Sequence, residues 1–97
     1  MALDVFYTPK AKETFVLVYN FIAEKFSIKI ANQFLSKAEK TIHLISQQPF
    51  MYKSSSIDEN VRIATFTKHT ALFYQVKPKS INLLFFFDNR QEPLIIV

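Results

Sequence analysis

The sequence predicts an α+β domain with an N-terminal strand, an antiparallel two-helix hairpin, and a three-stranded antiparallel meander that forms one sheet against the helices. Two patterns support this fold class. In the first half, apolar residues recur at helical spacing, and in the last third they form short alternating or continuous runs that are typical of strands. A chain of 97 residues supports one hydrophobic core, so we expect residues 1–97 to form a single domain.

The first strand is expected from Leu3 to Tyr7, where Thr8-Pro9 stops it and begins a helix. Threonine is a favourable N-cap, and proline suits the first helical position. The helix should extend to about Phe26. Its core face is predicted to consist of Ala11, Phe15, Val18, Ile22 and Phe26. Since Leu17 and Phe21 are apolar but lie outside this face, we expect the helix to make a second contact.

The second helix is predicted from Ile28 to about Gln48, with Ser27 as its N-cap. Its inward positions are expected to be Ala31, Phe34, Leu35, Ala38, Ile42 and Ile45. Since little more than Ser27 separates the helices, they should pack as an antiparallel hairpin. Pro49 ends the second helix, and the polar segment 50–60 reads as a loop.

The meander is predicted from three segments, 61–66, 71–76 and 81–87. The last is a continuous apolar run, which favours a strand covered on both faces. The N-terminal strand should join the edge of this sheet, but the pattern does not determine its neighbour.

Composition excludes several classes of function. The chain has no glycine, which argues against phosphate-cradling loops and dinucleotide fingerprints, so no cofactor is expected. It has no cysteine, and His43 and His69 lack metal-ligand spacing, so no metal site is expected. No segment has the length of a membrane span or the pattern of a signal peptide, which predicts a soluble, cytoplasmic protein. The net charge of +4 permits an acidic or nucleic-acid partner without requiring one.

Two arginines at strand ends are the strongest candidates for function. Arg62 opens the second strand, and Arg90 follows the third, so both could bind phosphate or carboxylate. The alternative is that Arg62 pairs with a nearby acid such as Asp58 or Glu59, and that Arg90 forms a local salt bridge. Whether the two arginines meet depends on the order of the strands. His69 lies in a predicted turn and is a possible proton carrier or an ordinary solvated histidine.

The chain resembles the RelE/ParE superfamily of bacterial toxins over nearly its whole length. The resemblance rests on these features: a short strand before Thr8-Pro9, an alanine-containing first helix, a second helix with Ala31 and Phe34 ending at Pro49, Val61-Arg62, a strand with Tyr74, and Arg90 followed by Pro93. It implies a toxin of a type II toxin-antitoxin system, of the kind that stabilises plasmids, which is neutralised by a cognate antitoxin protein. The wide apolar face of the first helix and the apolar C-terminus suit such a partner. The resemblance therefore assigns antitoxin binding to Leu17, Phe21, Leu94 and Ile95.

The two branches of this superfamily differ in chemistry. ParE-like toxins block DNA gyrase, whereas RelE-like toxins cleave mRNA on the ribosome with basic residues and usually a Tyr or His near the C-terminus. Arg62 matches a strand arginine of the nuclease branch, but no Tyr or His follows Arg90, which favours the ParE-like branch. Target binding is then expected from Lys53, Arg62, Lys68 and Arg90.

A RelE-like enzyme would use Arg62, Arg90 and His69 as catalytic residues. An inactive member that only binds an antitoxin is a further alternative, and the chain could also form homo-oligomers. Replacing Arg62 or Arg90 by alanine is expected to abolish toxicity without unfolding the domain.

Overall fold

The computed structural model of the chain describes residues 2–56 and 58–91. Within them lie two helices and four strands in the predicted order, which confirms the α+β class. Their bounds are β1 Asp4–Tyr7, α1 Pro9–Lys25, α2 Ile28–Gln47, β2 Val61–Thr65, β3 Thr70–Val76 and β4 Ser80–Asp88. In these ranges no helix is long and apolar enough to cross a membrane.

The four strands form one sheet in the order β1-β4-β3-β2. The antiparallel meander of β2, β3 and β4 is confirmed. As predicted, β1 occupies an edge of the sheet. Its neighbour is β4, to which it runs parallel, with Tyr7 opposite Leu83. The sheet is therefore mixed.

Both helices begin at the predicted caps and pack as an antiparallel hairpin. The backbone N–H of Ala11 donates to Thr8 Oγ1 at 3.1 Å, and Ser27 Oγ accepts in the same way from the start of α2. The rings of Phe15 and Phe34 stack with centroids 5.3 Å apart, which joins the middle of α1 to the middle of α2.

The core lies between the helix pair and one face of the sheet. Four phenylalanine rings meet there at centroid distances of 5.3 to 6.4 Å, namely those of Phe15, Phe34, Phe66 and Phe86. The prediction that Phe26 belongs to this core is wrong, since the residue is 51% exposed. Helix α1 ends at Lys25, and the backbone of Phe26 is no longer helical, so the helical period does not place its side chain.

Helix α1 is hydrogen-bonded directly to β4. Leu84 is an extra residue in β4 relative to β3, because the register shifts there. The hydroxyl of Thr8 donates to the carbonyl oxygens of Leu83 and Leu84 at 2.8 and 3.1 Å. Six residues later, the buried Thr14 Oγ1 accepts a hydrogen bond from the backbone N–H of Phe86 at 2.8 Å. Thr8 and Thr14 therefore supply hydrogen bonds to the backbone of β4 where its pairing with β1 ends.

Candidate partner-binding and target-binding surfaces

The side chain of Arg90 is fixed by a buried carboxylate. Asp88 is fully buried, and its two oxygens accept from Arg90 Nε at 3.0 Å and from Arg90 Nη2 at 2.7 Å. The Arg90 backbone N–H and Thr70 Oγ1 each donate a further hydrogen bond at 2.9 Å. No pattern in the sequence singled out Asp88, yet its carboxylate holds this corner together.

Two aromatic rings flank the same guanidinium. The Arg90 Cζ atom lies 5.0 Å from the ring centroid of Phe26 and 6.0 Å from that of Phe21, within the range of cation-π attraction. Burial raises the pKa of Asp88, but the hydrogen bonds from Arg90 and Thr70 outweigh this effect and hold its pKa below the ordinary value. The predicted local salt bridge of Arg90 is therefore present, and it ties the end of β4 to the end of α1.

His69 and Lys68 lie in the turn between β2 and β3, next to Asn89. The His69 ring nitrogen Nδ1 is 3.1 Å from Asn89 Oδ1, and the backbone N–H of Asn89 donates to the carbonyl oxygen of His69 at 2.8 Å. Among the described residues, no carboxylate contacts the imidazole. The arrangement orients the ring through an amide but supplies no partner that would activate it as a base.

Arg62 lies at the other end of the sheet and is held by the loop after α2. Its Nη1 donates to the carbonyl oxygen of Tyr52, and its Cζ lies 4.8 Å from the ring centroid of Phe50. These contacts replace the pairing with Asp58 or Glu59 that was one alternative. Lys53 is adjacent, because its carbonyl oxygen accepts from the N–H of Ile63, the residue after Arg62.

The predicted site residues therefore form two groups. Arg62 is opposite Tyr74 in β3, whereas the carboxylate that holds Arg90 is bonded to Thr70, four residues away along the same strand. At about 3.3 Å per residue, Tyr74 beside Arg62 and Thr70 beside the Arg90–Asp88 pair are roughly 13 Å apart. Lys53 accompanies Arg62, and Lys68 and His69 accompany Arg90. A single site containing both arginines and His69 is not assembled.

A groove of about 560 Å³ runs between α1 and the end of β4, and we call it the α1/β4 groove. It is lined by Thr14, Leu17, Phe21, Lys25, Phe86, Phe87, Asp88, Arg90 and Gln91. Leu17 is 46% exposed and Phe87 is 40% exposed, so the groove has apolar walls, and its charged lining residues are Lys25 and the Arg90–Asp88 ion pair. It contains Leu17 and Phe21, which were predicted to bind an antitoxin. Leu94 and Ile95 lie outside the described residues.

Sequence reasoning missed Lys25 and Phe87 as lining residues. Phe87 ends a run that was expected to be covered on both faces, yet it is 40% exposed, and nothing distinguished Lys25 from the other helix lysines. Among the described residues, no three His, Asp or Glu side chains are grouped so that they could hold a metal ion.

Comparison with known proteins identifies the fold. No family model matches the sequence, and no curated protein matches it. A solved chain described as "Chromosomal ParDE TA system from P. aeruginosa" superposes with a TM-score of 0.75. The alignment covers 90% of this chain and 96% of that chain, at 17% sequence identity. At this identity the likeness establishes a shared fold, and it confirms the fold that the RelE/ParE resemblance implied.

Proposed function

We propose that this chain is the toxin of a type II toxin-antitoxin system, that it acts in the cytoplasm in the ParE-like manner, and that a cognate antitoxin neutralises it. The shared fold with a ParDE chain supports this proposal. The observation that carries it is the α1/β4 groove, an open apolar surface beside the part of β4 that extends past its pairing with β1.

The edge of β4 is suited to an added strand. β1 pairs with β4 only as far as Tyr7 opposite Leu83, while β4 continues to Asp88. Beyond Leu83, the N–H of Phe86 is taken by the hydroxyl of Thr14. An extended partner segment would therefore align along β4 beyond this N–H, with main-chain contacts giving affinity and side-chain pockets giving specificity.

The walls of the groove indicate the chemistry of that segment. Leu17, Phe21 and Phe87 offer apolar surface, which excludes water when a partner covers it. Lys25 and Arg90 line the groove and favour carboxylates in the partner, although Asp88, which also lines it, already accepts two hydrogen bonds from Arg90. An extended antitoxin segment with apolar side chains followed by acidic ones fits this pattern.

The placement of the basic residues favours inhibition by binding over ribonuclease chemistry. Stabilising a transferred phosphate requires donors that converge on one oxyanion. Here Arg62 and Arg90 are at opposite ends of the sheet, and His69 accompanies only Arg90. We therefore propose that Lys53 with Arg62, and Lys68 with Arg90, are separate contact points for a macromolecular target such as DNA gyrase.

Induced expression without antitoxin tests the target, with DNA supercoiling and mRNA integrity measured in the same cells. Growth arrest with altered supercoiling and intact transcripts is the expected result. Ribosome-dependent transcript cleavage would instead assign the chain to the RelE-like branch. Normal growth would leave a member that binds an antitoxin and has no toxicity.

A pair of neighbouring substitutions tests the groove. Leu17→Asp places a charge in it, whereas Val16→Asp places the same charge on the same helix at an exposed position outside it. Both variants should remain toxic, but co-expressed antitoxin should rescue cells that carry Val16→Asp and fail to rescue cells that carry Leu17→Asp. Equal rescue of the two would contradict the assignment of the antitoxin to this groove.

A further inference from the structure

A second groove lies on the other side of Arg90, between α2 and the turn that joins β2 to β3. We call it the α2/turn groove, and its volume is about 450 Å³. It is lined by Ile22, Ile30, Gln33, Phe34, Lys37, Thr67, Lys68, His69, Thr70 and Arg90. The α2 residues among these are spaced by three or four positions and form one stripe along the helix. From Ile30 to Lys37 this stripe is about 10 Å long.

The charged residues of this groove all have the same sign. Lys37 and Lys68 are exposed, and their side chains have no hydrogen-bond or ion-pair partner among the described residues. Arg90 adds a guanidinium that is shared with Asp88, a residue that does not line the groove. Since no described lining residue is acidic, the groove has a positive potential that attracts carboxylate or phosphate groups.

The floor of the groove distinguishes between these two anions. It is formed by Ile22, Ile30 and Phe34, of which Ile30 is 42% exposed and offers aliphatic surface. Single-stranded nucleic acid is held by bases stacked on exposed aromatic rings. The ring of Phe34 is only 4% exposed and faces the phenylalanine cluster. An aliphatic floor with a cationic rim suits an apolar side chain flanked by carboxylates.

We propose that the α2/turn groove is a second docking surface, and that it binds an acidic protein segment in which an aliphatic side chain is flanked by carboxylates. The aliphatic side chain covers Ile30, and the carboxylates contact Lys37 and Lys68. The site is distinct from the α1/β4 groove, since Arg90 is the only described residue that lines both. It shares Lys68 and Arg90 with the target contact proposed above, but its test requires neither toxicity nor the antitoxin.

The test is a titration of the isotope-labelled full chain with a capped pentapeptide, Glu-Glu-Leu-Glu-Glu, followed by the amide resonances. The shifts should concentrate at Ile30, Gln33 and Lys68. The neutral peptide Gln-Gln-Leu-Gln-Gln should bind more weakly, and added salt should weaken the acidic peptide because the charges are exposed.

Two double variants distinguish binding in the groove from a general effect of net charge. Lys37→Glu/Lys68→Glu reverses the rim, so two attractive charge contacts become repulsive, and affinity for the acidic peptide should fall roughly tenfold, or about 1.4 kcal/mol. Lys12→Glu/Lys79→Glu changes the total charge equally at exposed positions outside the groove, and affinity should be nearly unchanged.

Three results would overturn the proposal. The first is a set of shifts around Arg62 or scattered over the surface instead of in the α2/turn groove. The second is an equal loss of affinity in the two double variants. The third is tighter binding of a short oligouridine than of the acidic peptide at the same residues, which would assign the groove to nucleic acid.

Discussion

The Arg90→Ala variant should unfold at a markedly lower temperature than the original chain. The substitution removes the two charged hydrogen bonds at 3.0 and 2.7 Å and leaves the fully buried Asp88 with only a backbone N–H and Thr70 Oγ1 as donors. Breaking a buried ion pair by removing one partner costs roughly 3 to 5 kcal/mol. Since the Arg90 side chain is 25% exposed, solvent screening lowers this to about 2 to 3 kcal/mol.

In a domain of this size, a loss of that magnitude lowers Tm by roughly 10 to 20 °C. Urea unfolding followed by far-ultraviolet circular dichroism measures the free energy directly. Lys12→Ala is the matched control, because Lys12 is an exposed cation whose side chain has no partner among the described residues. An Arg90→Ala loss as small as that of the control would refute the reasoning.

A second substitution tests the cause of the loss. If the cost arises from an uncompensated buried carboxylate, Asp88→Asn introduced into the Arg90→Ala background should recover about 1 kcal/mol or more. A double variant that is at least as unstable as the sum of the single variants would show that the carboxylate charge is not responsible.

The expected loss of stability changes how a functional test of Arg90 is interpreted. Removal of Arg90 was expected from the sequence to abolish toxicity without unfolding, but the buried Asp88 makes a loss of stability the expected first effect. Lys68→Ala is the cleaner probe of the same corner, since its exposed side chain has no partner among the described residues.

Thr14→Val should lower the free energy of unfolding by about 1 to 3 kcal/mol, because it leaves the buried N–H of Phe86 without an acceptor. Hydrogen exchange should accelerate at that amide. Unchanged exchange would contradict the assignment of this hydrogen bond. Burial raises the pKa of Tyr74 to about 12, so an ultraviolet titration should show its ionisation as a late step that is missing in Tyr74→Phe. That variant also loses the 2.8 Å hydrogen bond to the Pro49 carbonyl oxygen, at about 1 kcal/mol. Because the pKa of Asp88 is lower in the folded state, ionised Asp88 stabilises the fold above about pH 4 and this stabilisation is lost as pH falls through the folded pKa. The free energy of unfolding should therefore fall less on acidification in Asp88→Asn than in the original chain. An identical dependence on pH would argue against the lowered pKa.

The features that could be predicted from the sequence are those encoded locally. The caps Thr8 and Ser27 and the helical periods each involve residues within a few positions, and the structure has them where expected. The pairing of β1 with β4 joins Asp4 to Ser80. No pattern within either segment specifies such a distant parallel neighbour.

The site was harder to predict, because buried polar residues hold its backbone and side chains in place. Thr14 lies on the core face of α1, where only apolar residues were counted, and Asp88 resembles any acid at a strand end. Phe26 was assigned to the core by extending the helical period one residue beyond the helix. Burial of a polar group depends on the tertiary partner that satisfies it, and the sequence does not display that partner.

The absence of glycine from the chain has a consequence for how its relatives can diverge. In residues 2–56 and 58–91 no backbone φ angle is positive, so no turn there demands a residue without a Cβ atom. Turn positions are then constrained by side-chain partners and not by backbone conformation. Relatives can therefore differ at turn positions whose side chains make no such contact and still keep the chain path, so burial patterns, rather than invariant glycines, should identify them.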